Sequence, residues 1–144
     1  MTELATVTER ASALRAPASF PGLEQITRFV LGLVRRASLP DQAGYRLRLA
    51  VDELATNTVT HGYRDGGGEI TVYGGVEPDR VWIRLEDQAD CFDPRTRLHP
   101  PDPATPLQDR PIGGLGIYLA LTSLDEFDYA YVSGRNVLTL TVRR

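Results

Sequence analysis

The chain has 144 residues and a formal net charge of -3, with 42% hydrophobic and 24% charged positions. That length suits one domain, and the acidic balance argues against a nucleic-acid partner, which needs a basic surface to meet phosphates. All sixteen basic residues are arginine, which excludes a lysine Schiff base, a phosphate-loop lysine and the lysine of the eukaryotic protein-kinase pattern.

Residues 4–8 alternate weakly and read as a short edge strand, and residues 16–20 read as a loop. Pro21 suits the first turn of a helix behind Ser19 as its cap. Leu23, Ile26, Phe29, Val30, Leu33 and Val34 recur at helical spacing and carry that helix to about Ala37. After Leu39-Pro40, Asp41 can cap a second helix whose apolar stripe is Leu47, Ala50, Val51, Leu54 and Thr58. Gly62 and the run Asp65-Gly66-Gly67-Gly68 stop it. Two β segments follow, residues 69–75 and 80–86, with alternating Ile70 and Val72, then Val81, Ile83 and Leu85. Residues 87–112 hold six prolines and few apolar side chains, and loops this long are usually lids or binding segments. Gly113-Gly114-Leu115-Gly116 opens a third helix over residues 117–124. A hairpin closes the chain, residues 127–132 and 136–142, turning at Ser133-Gly134-Arg135. The order implies a single domain over residues 1–144, an α+β two-layer sandwich. Its sheet is expected to be mixed, with about five strands and the helices on one face.

Cys91 is alone, so no internal disulfide is expected, and His61 and His99 make no zinc cluster. No apolar run approaches the ~20 residues of a membrane span. The opening residues carry Glu3 and Glu9 without the apolar core of a signal peptide. A cytoplasmic protein with no membrane contact is the expectation.

Glu53, Asn57 and His61 stand four apart and share one strip of the second helix, on the flank of its apolar stripe. Such a strip is usually a solvated face, and Asp52 next to Glu53 points elsewhere and reads that way. On the flank of a cleft the same residues have chemistry to offer. The Asn57 oxygen suits a hard cation such as Mg2+, and Glu53 can take a proton from an attacking hydroxyl. His61 is placed where a helix C-terminus favours an imidazolium, a structural role. Asp87, at a strand end, can accept from an exocyclic amine such as that of adenine, although aspartate is also common in turns. Glycines at Gly113, Gly114 and Gly116 let bare amides approach a phosphate at a helix N-terminus.

Together these features resemble a known family. Glu53-Leu54-Ala55-Thr56-Asn57, followed by His61-Gly62-Tyr63, resembles the E-x-x-x-N box of the GHKL ATPases, a group that includes gyrase-type and histidine-kinase nucleotide domains. The His-Gly-Tyr ending looks most like the small bacterial anti-sigma factors that are also serine kinases. Asp87 and Phe92-Asp93-Pro94 resemble the family's first glycine box, and Gly113 to Gly116 its second. The resemblance implies a Bergerat-type ATP site with residues 94–111 as a mobile lid and ATP and Mg2+ as cofactors. By position, Asn57 would bind Mg2+, Glu53 would be the general base, and Asp87 would meet the adenine amine. The amides of Gly113, Gly114, Leu115 and Gly116 would face the phosphates. Thr139 or Thr141 would reach the adenine side through a water. Apart from the resemblance, Arg110 at the end of the lid is expected to offset terminal phosphate charge, as arginines do in phosphoryl transfer. The implied partners are an anti-sigma-factor antagonist of the STAS type and an alternative sigma factor, with a homodimer plausible. Ala89 and Cys91 depart from the small residues of the first glycine box, so the base would be crowded or the loop displaced. The departure leaves two functions open, a protein-serine kinase or a nucleotide-responsive binding module of the same fold without catalysis.

Overall fold

A computed structural model describes residues 11–63, 67–97, 102–106, 108 and 115–144. The first strand is β1, Ser12–Pro17. Its last two residues, Ala16 and Pro17, fall in the stretch expected to be loop, and the strand expected at residues 4–8 lies outside the described residues. Alanine, arginine and proline disguise β1, and the pairing that makes it a strand is long-range: Leu14 stands opposite Val72 and Ala16 opposite Ile70. Pro17, at the strand end on a sheet edge, has no ladder hydrogen bond to lose.

Helix α1 spans Phe20–Arg36. Ser19 caps it, its Oγ accepting from the Gly22 amide at 3.3 Å, and Arg35 and Arg36 sit in the last turn where the dipole favours cations. Helix α2 spans Asp41–Asn57. Its cap position is Pro40, which offers no side-chain bond, so Asp41 serves as a first-turn carboxylate instead of the cap. Ile26, Val30 and Leu33 of α1 and Leu47, Val51 and Leu54 of α2 are fully or nearly fully buried, as their spacing predicts. Asp52 is more than a solvated residue. Thr27 donates to its Oδ1 at 3.1 Å, linking α2 to α1, and Arg48 pairs with its Oδ2 at 3.6 Å.

Strands β2 (Glu69–Val76) and β3 (Arg80–Asp87) form one hairpin. Helix α3, Leu115–Thr122, precedes the second, β4 (Glu126–Val132) with β5 (Arg135–Arg143). Ser133 and Gly134 turn that hairpin with φ of 52° and 78°, the paired positive values that match the twist of the flanking strands. The sheet order is β1-β2-β3-β5-β4, and every neighbouring pair is antiparallel. The expected mixed sheet is corrected on this point. Strands β3 and β4 do run the same way, but β5 lies between them, so no parallel ladder forms. Val81, Ile83 and Leu85 on β3 and Leu138, Leu140 and Val142 on β5 face the helices in one core. None of the helices among the described residues is long and apolar enough to cross a membrane.

Candidate functional site

The end of α2 departs from ideal helix for a local reason. Thr58 Oγ1 donates to the Leu54 carbonyl at 3.2 Å and Thr60 Oγ1 to the Thr56 carbonyl at 2.8 Å. Hydroxyls that bond four residues back compete for the helical acceptors and bend the helix. The chain widens into a π turn over Thr58–Gly62, and the Tyr63 amide donates five residues back to Thr58. Such turns concentrate at functional sites. The Tyr63 hydroxyl then donates to the Glu69 carbonyl and accepts from the Gln88 amide, both at 2.8 Å. Its ring lies on Gly68, where a Cβ would overlap it. One phenol thus ties the end of α2 to the ends of β2 and β3, and its partial burial raises its pKa.

Asp87 ends β3 on the helix-facing side and is 6% exposed. Its Oδ1 accepts from the Ala89 amide at 3.0 Å and from Asn136 Nδ2 at 2.9 Å. Among the described residues its Oδ2 meets the Thr58 hydroxyl, at 3.5 Å, whose one proton is shared with the Leu54 carbonyl. A carboxylate oxygen accepts two hydrogen bonds, so Oδ1 is filled and Oδ2 has capacity to spare. Ala89 does not strain the loop, because the positive-φ positions among the described residues are Ser38, Gly67, Ser133 and Gly134. It is buried, and a Cβ on Gly62 would come within 3.2 Å of its methyl. Gly62 therefore makes room for the side chain that replaces a glycine.

Glu53 and Asn57 share one strip of α2, and both are half-buried. A Cβ on Gly116 would stand 2.5 Å from Glu53 Oε2 and 2.9 Å from its Cδ, so the carboxylate rests on the bare backbone of the first turn of α3. Asn57, Leu54, Asp87, Phe92, Asn136 and Leu138 line a cavity of about 30 Å3. That is far too small for a purine, which enters only if the Phe92 side chain and its neighbours give way. Among the described residues neither the Glu53 carboxylate nor the Asn57 carboxamide has a hydrogen-bond partner. Nor do three His, Cys, Asp or Glu side chains gather there among the described residues. The donor set therefore fits Mg2+, which keeps waters and shares its sphere with substrate phosphates, and fits no all-protein cage.

The remaining expected site residues divide. Leu115 and Gly116 begin α3, Gly116 against Glu53, while Arg110, Gly113 and Gly114 lie outside the described residues. Of the lid segment, residues 94–97, 102–106 and 108 are described, beginning with a 3-10 turn at Pro94–Arg97. Arg95 grips Asp93 there through both carboxylate oxygens and holds its carboxyl below the usual range. Thr139 and Thr141 are corrected. They line a groove on the opposite face of the sheet with Trp82 and Asp128, away from Asp87. Alternation gives the reason: Asn136, Leu138, Leu140 and Val142 share the helix-facing parity, and the threonines have the other. The polar side chain of β5 that reaches Asp87 is Asn136. His61 is exposed in the π turn, apart from the cleft.

Next to Asn136, the Tyr129 hydroxyl donates to its Oδ1 at 2.6 Å and lies 3.5 Å from Cys91 Sγ. Burial, with the Cys91 thiol beside it, pushes the Tyr129 pKa up to about 12. The folded-state value is raised above the ordinary ~10. The stability this phenol adds is therefore fully present below about pH 10 and lost as pH rises through about 12. Urea midpoints are expected to fall across that window and to fall less in Tyr129→Phe. Equal falls in both proteins would refute the coupling.

Comparison with known proteins gives a consistent result. The histidine kinase-like ATPase domain family matches residues 16–142. A serine-protein kinase RsbW of Bacillus cereus strain AH187 is 34% identical over 95 residues, which is 64% of this chain and 59% of that protein. The RsbW of Bacillus anthracis strain CDC 684 is 33% identical over the same share. The chain thus spans about three fifths of the length of these relatives. Among solved structures, the RsbU and RsbW domains of a Mycobacterium tuberculosis protein match at a TM-score of 0.64 and 16% identity, covering 92% of this chain and 32% of that one. A histidine kinase domain from the Erythrobacter litoralis EL346 blue-light activated kinase matches at 0.53 and 15%, covering 88% of this chain and 60% of that one. At such identities the likeness is one of fold.

Proposed function

Because the chain belongs to the histidine kinase-like ATPase domain family, we propose that it is an anti-sigma regulatory protein-serine kinase that binds Mg·ATP. It transfers the terminal phosphoryl group to a serine of an anti-sigma-factor antagonist, and so controls sequestration of an alternative sigma factor in the cytoplasm. The observation that carries this reading is that Asp87 and Asn57 line one cleft, with Glu53 one helical turn before Asn57 on the same strip of α2. Asp87 keeps an acceptor oxygen, Asn57 keeps its amide, and Glu53 lies against the first turn of α3.

The roles follow from the chemistry of each group. Asp87 accepts from the adenine amine through Oδ2. Asn57 holds Mg2+ through its amide oxygen, and the cation, once bound, offsets phosphate charge. The backbone amides of Gly113, Gly114, Leu115 and Gly116 meet phosphate oxygens, with residues 94–111 as the lid and Arg110 at its end. Glu53 takes the proton of the acceptor serine as the serine oxygen bonds to the γ-phosphorus and the bond to the β-phosphate oxygen breaks, leaving phosphoserine and ADP. The protein's task is positioning and electrostatics, which need no lysine.

Calorimetric titration with Mg·ATP tests the site. Wild-type protein is expected to bind, and Asn57→Ala to bind roughly tenfold or more weakly, the cost of one lost contact to a charged group. Equal affinities would remove Asn57 from the site. The narrowness of the cavity beside Ala89 favours a second reading, a partner-binding module whose lid responds to nucleotide without catalysis. Incubation with γ-labelled ATP and an antagonist separates the two: label on a partner serine supports the kinase, and binding without label supports the module.

A further inference from the structure

Asn136 is 4% exposed, and its carboxamide is fully engaged. Nδ2 has two protons and three acceptors within reach, Asp87 Oδ1 at 2.9 Å and the carbonyls of Ala89 and Asp90 at 3.2 and 3.0 Å, so one proton is shared between two of them. Oδ1 accepts from the Phe92 amide at 3.0 Å and the Tyr129 hydroxyl at 2.6 Å. The surroundings dictate which end is which. Reversed, the amide would set donors against two donors and its oxygen against three acceptors. A hydroxyl is too poor in donors to make this set, and a carboxylate would face Asp87 with like charge.

The same contacts span the whole loop. Residues 89–92 contain no glycine and no positive φ, so nothing in their own backbone requires the path they take. A single side chain from β5 holds that path by bonding Ala89, Asp90 and Phe92 at once. We propose that Asn136 is the positioning residue for purine recognition. It holds the base-side loop and turns Asp87 so that its free oxygen is an acceptor-only contact in the cleft. An exocyclic amine satisfies that oxygen. A purine without the amine leaves it with the shared Thr58 hydroxyl alone, and a 6-oxo purine sets a second acceptor against it. Asn136 touches the base through neither atom, because both are already used. The inference rests on the nucleotide-binding reading above.

The experiment measures affinities by calorimetry for ATP and for purine riboside triphosphate, which lacks the 6-amino group, in the presence of Mg2+. Wild-type protein is expected to prefer ATP by about tenfold or more, as loss of a hydrogen bond to a charged acceptor implies. In Asn136→Ala that ratio falls towards one, through weaker ATP binding, while affinity for the analogue changes little. Tyr129→Phe, which removes one donor to Oδ1 and keeps the shape, lowers the ratio part of the way and serves alone if Asn136→Ala does not fold. An unchanged ratio in the variants that fold overturns the inference and leaves nucleotide binding standing. Equal weakening of both ligands also overturns it, since that marks a merely structural role. A wild-type protein that binds neither ligand removes the premise, and the inference with it.

Discussion

Glu53→Ala is expected to keep its affinity for Mg·ATP and to lose phosphoryl transfer by about 10²- to 10⁴-fold, the range that a positioned general base contributes. The variant removes the group that takes the serine proton and leaves Asp87 and Asn57 in place. Gly116→Ala provides the complementary test without touching the carboxylate. Its new Cβ would stand 2.5 Å from Glu53 Oε2. The obstacle is the tip of a flexible side chain, so Glu53 swings aside and the fold loses little. Turnover is therefore expected to drop while the melting temperature stays within a few degrees. Transfer at the wild-type rate in Glu53→Ala would end the assignment of the base, and a Gly116→Ala protein that unfolds would show that the contact is structural.

Asp87→Ala is expected to have the second large effect, on binding and stability together. The adenine amine loses its acceptor, worth about 10- to 100-fold in affinity for a bond to a charged group. The Ala89 amide and Asn136 Nδ2 lose the same partner. Each buried donor left unsatisfied costs about 1–3 kcal/mol. Asn136 retains its two loop carbonyls, which offsets part of its share, so a loss of roughly 2–4 kcal/mol is expected in urea denaturation. Full retention of ATP affinity in a folded Asp87→Ala protein would place the base elsewhere.

Much of this arrangement was legible before any coordinates, and the reason lies in the range of each interaction. The Glu53-Asn57 pair is local: a spacing of four puts both on one helical strip whatever the rest of the chain does. Ser19 with Pro21 marks the start of α1, and the alternation in β2 and β3 marks the inward faces for the same local reason. Strand β1 was hidden because Ala13, Arg15, Ala16 and Pro17 have little preference for a strand, and only the ladder to β2 makes them one. The antiparallel neighbours of β5 depend on where the chain returns after the lid, which no window of sequence contains.

The resemblance implies Thr139 or Thr141 by position, whereas strand parity turns both away from the helices and brings Asn136 to Asp87. A signal was available. Asn136 has the same strand parity as Leu138, Leu140 and Val142, and a polar residue on a core-facing parity has a partner to find. What the spacing could not supply is the partner itself, 49 residues away at the end of β3. The substitution of Ala89 for a glycine is understood only with that contact in view. The loop needs no permissive backbone because Asn136 holds it from the side.

A crystal structure of the protein grown with Mg2+ and a non-hydrolysable ATP analogue tests the central claim most directly. The account predicts the purine amine on Asp87 Oδ2, the cation on the Asn57 amide oxygen, and Phe92 moved out of the present cavity. A purine bound on the far face beside Trp82 and Thr139, or a cleft still closed over Asp87 with the analogue bound elsewhere, would contradict it.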